Sequence, residues 1–125
     1  ACGGKLENER VLVVDDNLDL LEVTVQLFES FGYEVFTASN GAEAVRILSQ
    51  IPDIAILFTD VVMPGMNGID LGYEARRLIP GLKVILVSGY ANEVLKTGSG
   101  SLEDFDYLKK PYRATDILRL LAKPN

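Results

Sequence analysis

Apolar residues in this chain come in short unbroken runs, each ending in a polar or charged residue followed by turn-formers. Three runs stand out: Arg10-Val-Leu-Val-Val14, Ile54-Ala-Ile-Leu-Phe58 and Leu82-Lys-Val-Ile-Leu-Val87. Because they lack polar alternation, they predict strands buried on both faces. Tyr33–Thr37 and Phe105–Lys109 mix polar with apolar residues, as edge strands do. Between the runs the period becomes helical. Leu18, Leu21, Val25 and Phe28 form one stripe, closed by Gly32. Ala44, Ile47, Leu48 and Ile51 form a second, opened by an Asn40–Glu43 capping pair and ended by Pro52. Leu71, Ala75, Leu78 and Ile79 form a third, broken by Pro80-Gly81, and Ala114, Ile117, Leu118 and Leu121 a last one, stopped at Pro124. The stretch from Ala91 to Glu103 is weaker and predicts one or two helical turns followed by a mobile loop through Gly98-Ser-Gly100.

Strands alternating with helices make an α/β fold around a five-stranded parallel sheet, with helices on both faces. The three wholly apolar strands belong in the middle and the mixed ones at the edges, which the order 2-1-3-4-5 satisfies. In such a doubly wound sheet, ligands bind beyond the carboxyl ends of the strands, where the strand order reverses. Asp15 and Asp16 leave the first strand, Asp60 the third, Ser88 the fourth and Lys110 the fifth. All five residues therefore converge on one sheet edge. Taken singly, each has an ordinary explanation: Asp15 or Asp16 as a helix cap, Asp60 as a turn cap, Ser88 as a turn hydroxyl, Lys110 as a solvated edge charge. Taken together they do not, since carboxylates at such range repel by roughly 4 kcal/mol per close pair at an effective dielectric near 20. A cation is expected there. Few, hard oxygen ligands open to solvent suit Mg²⁺ together with a phosphate, and Lys110 supplies a point charge for the same phosphate.

Composition narrows the function classes. A chain of 125 residues is one domain's length and needs no disulfide or structural metal. Eighteen acids against twelve bases give a net charge of −6, with no basic stripe for a phosphate backbone, so no direct nucleic-acid binding is expected. The absence of histidine excludes Ser-His-Asp and Cys-His nucleophile systems and histidine-ligated metals. The single cysteine, Cys2, lies in an Ala-Cys-Gly-Gly opening that reads as a fraying or extraneous terminus, and a reducing cytoplasm fits. Residues 1–8 are assigned to that terminus and 9–123 to the domain. No leader or apolar run of membrane-spanning length is present, so a soluble domain without membrane contact is expected. Oligomeric state leaves no mark in the sequence.

Four stretches, Val13-Val-Asp-Asp16, Thr59-Asp-Val-Val-Met-Pro-Gly-Met-Asn-Gly68, Val87-Ser-Gly89 and Lys109-Lys-Pro111, resemble in order the signature stretches of response-regulator receiver domains. The resemblance covers nearly the whole chain and implies a flavodoxin-like fold. It also implies that Asp60 is the phosphoacceptor, that Asp16 and Asp60 bind Mg²⁺ directly, and that Asp15 acts through water with the Val62 carbonyl as a further ligand. Ser88 would hydrogen-bond a phosphoryl oxygen, and Lys110 would bridge Asp60 and the phosphoryl group, preceding a cis peptide to Pro111. Tyr107 matches the family's switch aromatic, which turns inward as Ser88 follows the phosphoryl group. The affected face would be that made by the 91–103 segment, the fifth strand and the last helix. The donor would be a phosphohistidine of a histidine kinase or histidine phosphotransfer protein, and the domain would catalyse its own phosphorylation and dephosphorylation. Small Gly89 would leave an access path, while Val62 and Tyr90 occupy positions that tune dephosphorylation. Ser88-Gly-Tyr90 and Lys110-Pro-Tyr112 are similar to phrases in the receivers of hybrid histidine kinases, with a stand-alone single-domain regulator as the other reading. A haloacid-dehalogenase-type phosphatase would need an acid where Val62 stands, and a flavodoxin a hydroxyl-rich loop where Asp15-Asp-Asn17 stands. The alternative is a phosphorylation-independent pseudo-receiver serving only as an interaction module. Loss of an acid or of the lysine would mark it, and neither is lost.

Overall fold

Leu12 and Val14 of the first apolar run pack into one side of the molecule and Val11 and Val13 into the other, all four sealed from solvent. That is what an unbroken apolar run dictates when neighbouring residues face opposite ways. This strand is β1 (Arg10–Val14), and it is followed by α1 (Leu18–Ser30), β2 (Glu34–Ala38), α2 (Gly41–Gln50), β3 (Ile54–Asp60), α3 (Gly68–Leu78), β4 (Lys83–Ser88), β5 (Asp106–Lys109) and α4 (Ala114–Ala122). The computed structural model describes residues 9–63, 65–88, 105–110 and 112–122. The predicted 91–103 segment, the 1–8 terminus, Pro64, Gly89, Tyr90, the Lys110–Pro111 peptide and Pro124 lie outside them.

All strand pairs are parallel, in the order β2-β1-β3-β4-β5. The expected α/β class, strand order and central strands are therefore found. One side of the sheet carries Leu12, Leu57, Val84 and Leu86 against Ala44 and Leu48 of α2 and Leu71 and Ala75 of α3. The other carries Val11, Phe58, Ile85 and Leu108 against Phe28 of α1 and Ile117 of α4. Phe28 meets Phe58 edge to face at 5.2 Å, which fixes α1 to the central strand. No helix among the described residues is long and apolar enough to cross a membrane.

Two helix stripes differ from the sequence reading. Leu18 is 66% exposed, and the inward line of α1 runs instead through Leu21, Thr24 and Phe28, with the polar Thr24 buried. Leu18 opens the helix before it settles onto the sheet, so helical phase alone overextends the stripe. In α4, Ile117 points inward and Leu118, a hundred degrees further round the helix, is largely exposed.

Candidate functional site

The site begins with what holds the strand ends together. β3 ends at Asp60, and the chain after it folds back at once: the Val61 N–H donates to the Val87 carbonyl at 2.9 Å and the Gly68 N–H to the Val61 carbonyl at 2.8 Å. Gly68 is required by contact, since a Cβ there would lie 2.2 Å from the Asp60 carbonyl oxygen. Asn67 caps α3 by accepting from the Asp70 N–H. Asp60 is thus carried by a strand buried along its length and clamped by a short turn.

At the end of β1, the Asp15 N–H donates to Ala38 of β2 at 3.2 Å. The cap of α1 is neither acid. Asn17 fills that place, its side chain accepting from the Asp19 and Leu20 N–H groups. Asp15 accepts from the Asn17 N–H at 2.9 Å and is buried, whereas Asp16 is exposed. Carboxylate oxygens of Asp15, Asp16 and Asp60 all lie within 4.8 Å of one another. Lys110 Nζ stands 3.2 Å from Asp60 Oδ2 and 3.9 Å from Asp15 Oδ2. Its backbone N–H donates to the Ser88 carbonyl at 2.8 Å, which ties the lysine to the end of β4, where Ser88 is fully buried. The sheet edge therefore gathers Asp15, Asp16, Asp60, Ser88 and Lys110, as the sequence predicts.

The charges do not balance. Burial pushes the Asp60 carboxyl above its ordinary value, against the pull of Lys110, while Asp15 raises it further and a hydrogen bond from the Val62 backbone lowers it. Asp15 is likewise raised, first by burial, against its hydrogen bond from Asn17 and the attraction of Lys110, with Asp16 adding to the rise. Among the described residues, one lysine beside three carboxylates leaves a net negative site built of hard oxygen donors. Such a group can hold a metal ion.

Tyr107 lies one strand across, in register with Leu86 two residues before Ser88. Residues two apart on a strand share a face, so Ser88 and Tyr107 are diagonal neighbours. The Tyr107 ring packs against the core on the α2–α3 side, and its hydroxyl is buried with no hydrogen-bond partner among the described residues. Val62 is half-exposed beside Asp60. Sequence reading missed one arrangement. The Tyr112 hydroxyl and Thr24 Oγ1 are hydrogen-bonded at 2.6 Å, and the Tyr112 ring meets Phe58 edge to face. The available signal was an aromatic residue two positions after Lys110. Its partner, 88 residues away, had none.

Comparison with known proteins matches residues 11–122 to the family described as "Response regulator receiver domain". The response regulator receiver protein CpdR of Brucella abortus (strain 2308) is 34% identical over 115 residues, which cover 92% of this chain and 95% of that protein. The sensor kinase CckA of the same organism is 35% identical over 118 residues, covering 90% of this chain but only 12% of that protein. Among solved structures, the response regulator protein TrrA of Thermotoga maritima, in complex with Mg(2+)-BeF, superposes with a TM-score of 0.79 at 26% identity. That match covers 90% of this chain and 96% of the other.

Proposed function

Because the chain belongs to the response regulator receiver domain family of two-component signalling, we propose that Asp60 takes a phosphoryl group from a phosphohistidine donor and that the domain switches conformation in response. The carrying observation is the contact of Lys110 Nζ with Asp60 Oδ2 at 3.2 Å inside a group of three carboxylates. A phosphoryl acceptor needs a nucleophilic oxygen, a nearby cation and little else, because the transition state is loose and catalysis is mostly positioning and charge neutralisation. An Asp60 oxygen bonds to phosphorus as the bond from phosphorus to the donor imidazole nitrogen breaks, and the nitrogen keeps the electron pair. Lys110 stands where it can balance the charge on the transferred group. Ser88 donates its hydroxyl to a phosphoryl oxygen, and Tyr107, its diagonal neighbour, responds to that movement. Water attacking the acyl phosphate resets the domain.

The donor set fits a divalent cation. The Asp16 and Asp60 carboxylates with the Val62 carbonyl would hold Mg²⁺ directly and Asp15 would act through water. The ion would supply positive charge to the phosphoryl oxygens, and the Mg(2+)-BeF complex of TrrA supports that assignment. With no histidine in the chain, the phosphohistidine must come from elsewhere, so the partner is a cytoplasmic histidine kinase domain or a histidine phosphotransfer protein. The likeness to the sensor kinase CckA supports this partner class. The test is transfer of radiolabelled phosphate from a phosphohistidine protein in the presence of Mg²⁺. The native chain takes up label and Asp60→Asn takes up none. Label persisting on Asp60→Asn overturns the assignment.

A further inference from the structure

Leu20, Val23 and Leu27 recur at offsets of three and seven along α1, and with Tyr112 and Lys110 they line an open groove of about 380 Å³. Val23 is 54% exposed, a large apolar side chain open to solvent in the middle of the helix. The opposite wall is held in place. The Tyr112 hydroxyl is fixed to buried Thr24 at 2.6 Å, and its ring stands against Phe58 with centroids 5.6 Å apart. Lys110 belongs to the lining, and its ammonium is 3.2 Å from Asp60. Among the described residues, the groove thus offers apolar walls, a flat aromatic ring and a cation whose ammonium contacts Asp60.

We infer that this groove is a subsite for the leaving group of small phosphodonors, and that Asp60 prefers aromatic acyl phosphates over acetyl phosphate. The inference rests on the reading of Asp60 as acceptor. A donor of this class carries its charge at the phosphoryl end, which Lys110 attracts. Its other end is an uncharged ring that Val23, Leu27 and Tyr112 can cover. An acetyl group is too short to reach those walls. The step balances without a proton: an Asp60 oxygen forms a bond to phosphorus, the bond from phosphorus to the acyl oxygen breaks, and benzoate leaves with the electron pair. Partial burial of one ring in a half-open groove corresponds to about tenfold in the specificity constant.

The experiment measures Asp60 phosphorylation by benzoyl phosphate and acetyl phosphate, with Mg²⁺, on the native protein, Val23→Gln and Val23→Leu. Taking the ratio of the two donors within each protein and comparing proteins removes their intrinsic difference in reactivity. The ratio should fall about threefold in Val23→Gln, which removes one of several walls, and hold in Val23→Leu. An equal ratio in all three proteins overturns the subsite. A second arm is independent of phosphorylation. Phenylphosphonate should shift the NMR methyl resonances of Val23 and Leu27 while methylphosphonate leaves them in place. Shifts by both, or by neither, contradict the inference. If neither donor nor a phosphohistidine protein labels the protein while phenylphosphonate still shifts those methyls, the acceptor reading fails and the groove stands.

Discussion

Two lysine–aspartate contacts stand at opposite ends of the sheet with almost the same length. Lys83 and Asp106, the first residues of β4 and β5, meet at 3.1 Å, and Lys110 and Asp60 meet at 3.2 Å at the carboxyl ends. Their surroundings differ. Among the described residues, Lys83 and Asp106, with side chains 9% and 18% exposed, pair one cation with one anion. Lys110 faces Asp60 and Asp15, with Asp16 in the same group. The first contact neutralises its charges within the fold. The second leaves negative charge in a partly buried place, and both Asp60 and Asp15 are held above their ordinary pKa because burial outweighs the lysine. Distance alone therefore does not separate a structural ion pair from a binding site. The count of charges does.

That contrast is broken most forcefully at its structural end. Asp106→Ala removes the carboxylate from a buried ammonium and should lower stability by about 3 kcal/mol in urea unfolding, while phosphotransfer to Asp60 persists. Asp60→Asn should have the opposite sign. It removes an acid from a crowded group and should stabilise the metal-free protein at neutral pH by about 1 kcal/mol, although it abolishes phosphorylation. Equal destabilisation by both substitutions would show the two contacts to be alike.

The same contrast appears with pH. An acid whose folded pKa lies above its unfolded value binds its proton more readily in the folded chain, so its contribution to stability is greatest below the unfolded value of 3.8. Stability is then lost as pH rises through the raised folded values. The contribution of these two acids to the stability of the metal-free protein should fall upward from that point, so unfolding curves taken across the carboxylate range should show less loss, or more gain, with rising pH in Asp60→Asn than in the native protein. The smallest effect is expected between the two ends, on β5 itself. The buried Tyr107 hydroxyl has no partner among the described residues, so Tyr107→Phe should raise stability by up to about 1 kcal/mol. A loss would mean that the hydroxyl is satisfied in solution.

Much of this was legible before the fold was known. Apolar runs without alternation gave β1, β3 and β4 as the central strands, and the residues that end them gave the site. Asn40 was legible as a cap because its partner Glu43 is three residues away; its side chain accepts from the Glu43 N–H at 2.8 Å. What escaped depends on distant partners or on where an element leaves the sheet. Lys83 inside an apolar run offers no sign of its partner until β4 and β5 pair. Thr24 looks like a surface threonine until Tyr112 arrives. Leu18 and Leu118 obey the helical period, yet the period gives relative phase and not which residues the sheet covers. The unlike burial of Asp15 and Asp16 follows from Asn17 taking the cap, which either acid could have filled.

The central claim is that the charge imbalance at the carboxyl edge makes Asp60 the phosphoacceptor. The most direct test is to phosphorylate the native chain from a phosphohistidine protein, reduce the acyl phosphate with borohydride and locate the reduced residue by peptide mass spectrometry. The account predicts reduction of the aspartyl phosphate to homoserine at position 60 alone, and none when Mg²⁺ is chelated beforehand. Reduction at Asp15 or Asp16, or an acid-stable phosphate on Ser88, would contradict it.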